Sequence, residues 1–173
     1  MRLAASLYAF SLLAVGSTAT AGGPASTARA AMQLFADNCF SPYLTADKAA
    51  KTFALSGASY DFYDLDPFSS VAASPATARA VTPGTDRRCE VSFAGDYSET
   101  AAQAVLKGLS AEAILDPAPL PARYASGDST TLLAARRLNP RRVAVVHVGT
   151  RPASGGIETF MLVERLTPSD SAD

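Results

Sequence analysis

The chain has no tryptophan, one histidine and two cysteines among its 173 residues. Each scarcity removes a class of chemistry. Cys39, Cys89 and His147 stand far apart with no metal-ligand spacing, so no metal site is expected. Neither cysteine belongs to a C-x-x-C pair, which argues against a thiol oxidoreductase. No G-x-S-x-G or S-x-x-K marks a nucleophile. No G-x-x-x-x-G-K or G-x-G-x-x-G cradles a phosphate, so no cofactor is expected. Cationic excess is missing too: 15 Lys and Arg face 16 Asp and Glu, too few basic groups for a nucleic-acid surface.

Long apolar runs are also lacking. The one candidate is the N-terminus, MRLAASLYAFSLLAVGSTATAGG. A basic start at Arg2 precedes an apolar stretch from Leu3 to Val15, which Gly16, Ser17 and Thr18 interrupt. That stretch is shorter than the ~20 residues of a membrane-spanning helix. Small residues at 19–21 (ATA) fit a signal-peptidase site, so residues 1–21 read as a cleaved signal peptide. Gly22 is not a cysteine, which argues against a lipid anchor. The mature chain then has 173 − 21 = 152 residues and a charge of 14 − 16 = −2, one domain's worth of chain. Residues 22–166 make that domain, and 167–173 (TPSDSAD) read as a disordered tail.

Export implies a periplasmic or secreted location and an oxidising compartment, where an even cysteine count suits one disulfide. Two free buried thiols are the alternative. Both cysteines fall on apolar faces. Residues 26–39 read as a helix whose Ala28, Ala31, Met32, Phe35 and Cys39 share one side. In RRCEVSFAG, Cys89, Val91 and Phe93 alternate with Arg88, Glu90 and Ser92.

A second helix is expected over 46–56, capped by Thr45 and stopped by Gly57. Strands follow at 58–65, 79–82 and 87–95, the last two flanking a Pro83–Gly84 turn. A third helix lies within 95–115, with Asp96 and Glu99 spaced as in a capping box and Ala102, Val105, Leu106 and Leu109 on its apolar side. Strands at 131–138, 142–150 and 157–166 are joined by short turns. This order, αα-βββ-α-βββ, predicts an α+β domain: an antiparallel sheet with helices packed on one side. In element order it resembles profilin-like and PAS-like sandwiches, an analogy that carries no function. Arginine pairs at 87–88, 136–137 and 141–142 read as solvated strand and hairpin ends.

Two candidate catalytic features remain. Asp64 and Asp66, in YDFYDLDPFSS, stand two apart on one side of a strand, at a spacing of ~6.5–7 Å that paired glycosidase carboxylates approach. The simpler account is an aromatic strand ended by Asp66-Pro67. A calcium loop is disfavoured, because Phe68 stands where a ligand belongs. His147 lies in the apolar strand VAVVHVG and is the one natural proton switch near neutral pH. Loops 66–78 and 116–130 exceed ~12 residues, a length that often accompanies binding.

The stretches FADNCFSPYLTADKAAKTFALSG, TDRRCEVSF and RRVAVVHVGT resemble a family of small exported proteins of Gram-negative bacteria with no assigned activity. The resemblance covers most of the mature chain. It implies a periplasmic or secreted location and a Cys39–Cys89 pair, and it transfers no catalytic residue. The expected function is a non-enzymatic periplasmic or secreted binding or interaction module of unknown ligand, its partner a small molecule or an envelope protein. Alternatives are a periplasmic hydrolase using Asp64/Asp66 or His147, and an envelope-associated subunit whose partner is another protein, favoured by an exposed apolar sheet face.

Overall fold

The structure, a computed structural model, describes residues 23–65 and 80–172. The expected signal peptide 1–21, the expected loop 66–78 with Asp66, and Arg79 at the start of one expected strand lie outside the described residues. The elements are α1 (Pro24–Asn38), α2 (Ala46–Ala54), β1 (Ser59–Asp64), β2 (Thr85–Ala94), α3 (Ser98–Ala111), β3 (Pro117–Ala118), β4 (Thr130–Asn139), β5 (Arg142–Ala153) and β6 (Gly156–Leu166). The strands form one open antiparallel sheet in the order β1-β2-β6-β5-β4-β3. This is the α+β architecture expected from the pattern.

Local chemistry accounts for the elements. Thr45 Oγ1 accepts from the Lys48 N–H (3.4 Å) and opens α2. Asp96 Oδ1 accepts from the Ser98 N–H (3.1 Å) and hydroxyl (2.8 Å) ahead of α3. Pro83–Gly84 makes the expected turn: Gly84 has φ +75° and the Thr85 N–H reaches the Thr82 carbonyl (3.1 Å). Residues 80–82 before that turn carry no strand. The sixth strand is instead Pro117–Ala118, inside the Pro-rich loop and paired with Arg136 and Ala135.

Strand alternation sorts the sheet into two faces. Phe62, Cys89, Val91, Val146, Met161 and Val163 face the helices. The core closes on them with Ala28, Ala31 and Phe35 of α1, Ala49 and Phe53 of α2, and Ala101, Val105 and Leu109 of α3. Leu106, expected on the apolar side of α3, is instead 38% exposed. Gly108 takes the close approach to α1: a Cβ there would stand 2.8 Å from the Ala36 carbonyl oxygen. Cys39 and Cys89 are joined, with Cα atoms 5.6 Å apart, so the two buried faces are bonded covalently. Tail residues 167–171, expected to be loose, make defined contacts. Asp170 bonds Arg123 (2.7 Å), and Ser171 Oγ accepts from the Val143 N–H (3.3 Å).

Candidate functional site

Antiparallel pairing brings one end of every long strand to the same end of the sheet. There β1 and β4 finish, β2 and β5 begin, and β6 finishes. Arg87 and Arg88 open β2, Arg136 and Arg137 close β4, Arg142 opens β5 and Arg165 closes β6. Parity then divides them. Arg87 shares the helix side with Cys89, while Arg88 faces the opposite side with Glu90.

On the helix side, carboxylates hold the guanidiniums in place. Arg165 donates from Nε to Asp86 Oδ1 (2.6 Å) and from Nη2 to Asp64 Oδ1 (3.0 Å). Arg142 Nη1 donates to Asp86 Oδ2 and to the Leu166 carbonyl (3.1 Å). Arg87 pairs with Asp64 at 3.8 Å and lies over the Phe62 ring. Its Nη2 also donates to the carbonyls of Ser41 (2.8 Å) and Leu44 (3.1 Å). Arg87 thus clamps the α1–α2 connection, two residues along β2 from the disulfide that pins the same connection at Cys39.

That doubly fixed connection forms one wall of a cavity of about 540 Å³. Cys39, Phe40 and Pro42 supply the wall, and Glu112 and Ile114 beyond α3 supply a second. Leu138, Asn139, Ala144 and Val163 contribute sheet surface, with Arg87, Arg142 and Arg165 beside them. The volume lies within the range of small-molecule sites, and the lining combines apolar surface with a few charged groups, as such sites do.

The candidates named from sequence fall elsewhere. Asp64 is buried and bonds two of the lining arginines without lining the cavity itself. Asp66 lies outside the described residues, so no paired-carboxylate geometry is seen. His147 sits on the opposite sheet face, where Nε2 and Thr130 Oγ1 are 3.1 Å apart and the ring meets Phe160 edge-on at 4.9 Å. Burial lowers its pKa below the ordinary imidazole value, against the opposing charges of Glu164 and Glu90. Asp64 and His147 are therefore on different faces and form no common site.

The face away from the helices carries a polar network. Buried Glu164 accepts from Arg88 Nε (3.1 Å), Thr82 (2.6 Å) and the Tyr124 hydroxyl (2.8 Å). Arg88 also bonds Asp61 (2.7 Å), and Arg151 bonds Glu90 (2.7 Å) and Glu158 (2.6 Å). Burial and the nearby Glu164 charge push the Tyr124 hydroxyl's pKa up. Alongside these ion pairs the same face carries a small buried apolar cluster, Ala135, Val143, Val145 and Leu166, with Ala118, Leu133 and Tyr124 packed against it. No group of three metal-ligating side chains gathers among the described residues, and no described helix is long and apolar enough to cross a membrane.

The arginine-lined cavity is the site that sequence reasoning missed. The arginine pairs were visible, but read as solvated ends. Strand parity together with strand order was the signal that would have collected them. Comparison with protein-family models, curated proteins and solved structures finds no match.

Proposed function

We propose that the protein is a non-enzymatic binding module, exported to the periplasm or secreted, that holds a small molecule in the cavity between the α1–α2 connection, the end of α3 and the sheet. The observation that carries this reading is the cavity: about 540 Å³, apolar and charged by turns, with a wall fixed by a disulfide and by two hydrogen bonds from Arg87. A fixed wall favours binding because little order has to be imposed when the ligand arrives. The N-terminal signal pattern, the disulfide, and the resemblance to small exported proteins of Gram-negative bacteria support the location.

The hydrolase alternative gains no support from the geometry. Asp64 is engaged by two arginines, and His147 lies across the sheet. Among the described residues the apolar cluster on the far side of the sheet is buried, so no exposed apolar sheet face favours the protein-partner alternative.

Mass spectrometry of protein recovered from the periplasm tests the reading. The denatured chain should begin at Gly22 and weigh two hydrogens less than the reduced form. The native protein should carry a small molecule that Ile114→Trp, which fills the cavity, excludes. Native protein that is always bare, with no small molecule displaced on unfolding, would count against a binding module.

A further inference from the structure

Charge at this cavity is balanced by the protein itself. Arg87 pairs with Asp64, Arg142 with Asp86, and Arg165 with both. Glu112 adds a carboxylate to the lining. Three guanidiniums therefore meet three carboxylates, and among the described residues the site is neutral. An acidic ligand would bring a fourth anion beside Asp64, Asp86 and Glu112. A cationic one would meet three guanidiniums. Either would shed its hydration against groups that already hold partners, which is costly. Hydrocarbon is what the cavity offers instead. Phe40, Ala144 and Val163 line it and are buried, so they form its floor. Pro42, Glu112 and Asn139 line it and are exposed, so they form its rim. Ile114 and Leu138, half-buried, stand between. Resting on the binding-module reading, we infer that the cavity takes an uncharged, largely hydrocarbon molecule, its apolar part on the floor between Ile114 and Leu138. Removing hydrocarbon from water supplies the affinity. The paired arginines supply the selection, because an ion would have to compete with Asp64 or Asp86 for partners they already hold.

A series of probes with one tail and three heads supplies the test. Calorimetric titration of the full mature protein near neutral pH uses decanol, decanoate and decylammonium, each below its micelle concentration. The tail is common, so differences in affinity report the charge alone. Decanol should bind about tenfold or more tightly than either ion, the scale of a desolvated charge left without a partner. Ile114→Trp, which fills the cavity from the α3 side, should abolish decanol binding. Leu138→Trp, which fills it from the sheet, repeats that test if the first variant does not fold.

Decanoate or decylammonium binding as tightly as decanol would overturn the selection for an uncharged ligand and leave the binding module standing. Decanol binding that survives either tryptophan in a folded protein would place the site elsewhere and overturn the inference as well. No binding of any probe by protein that carries a small molecule after export would reject this ligand class alone. No probe bound and no small molecule carried would reject both readings.

Discussion

Reducing the Cys39–Cys89 bond should lower the stability of the fold by about 4 kcal/mol. The bond closes a loop between residues 50 apart in sequence. In the chain-entropy model a loop of that length removes about 14 cal/mol/K from the unfolded chain, which is about 4 kcal/mol at 25 °C. The folded side changes little, because both sulfurs are buried where neighbours already hold them. Cys39 continues the packed side of α1, and Cys89 lies between Phe62 and Val163 in the sheet. Against a total of about 5–15 kcal/mol for a domain, the loss is about a quarter or more. The assay is urea unfolding of oxidised and reduced protein, followed by far-ultraviolet circular dichroism. The midpoint should fall and the melting temperature should drop by about 10 °C, given about 2–4 °C per kcal/mol in a domain of this size. The slope should not fall, since the reduced unfolded chain is freer and exposes at least as much surface. A loss below about 1 kcal/mol would refute the reasoning, because it would mean that the loop is already closed in the unfolded chain.

Gly108→Ala should destabilise by about 1–3 kcal/mol in chemical denaturation, because the new methyl meets the Ala36 carbonyl and the Phe40 ring. A stabilised variant, which helix propensity alone would give, would disprove that close approach. Asp64→Asn should cost about 3 kcal/mol by the same measurement, since it removes a buried carboxylate paired with both Arg87 and Arg165 and leaves Arg165 its pair with Asp86. A loss within experimental error would show that Asp64 is not structural and would reopen its catalytic reading. His147 binds its proton less readily folded than unfolded, so its contribution is present above the unfolded value near 6.5 and is lost as pH falls below it. His147→Gln should flatten the stability–pH curve between about pH 7 and 5 relative to wild type. Parallel curves would contradict the assigned direction.

What could be read locally was read from side-chain period. The stripe Ala28, Ala31, Met32, Phe35 and Cys39 is a helix face because 3.6 residues make a turn. Cys89, Val91 and Phe93 face the core because strand side chains alternate. The same alternation put Arg88, Glu90 and Ser92 on the other face. Boundaries failed where a contact beyond the local window decided them. Pro117–Ala118 is a strand only because Ala135 and Arg136 lie beside it. Leu106 lies at the wet margin of α3 because α1 crosses at Gly108 instead.

The amino-acid sequence by itself determined the α+β class and the inward direction of both cysteines. These follow from composition and from periods a few residues long. Tertiary structure alone decided that β6 lies between β2 and β5, so that Arg87, Arg142 and Arg165, remote in sequence, meet at one cavity. It also set Asp64 among those arginines and His147 on the far face. The reason is physical. Periodicity fixes which way a side chain points from its own backbone, but which charges share a site depends on strand order and register, set by the pairing of whole segments.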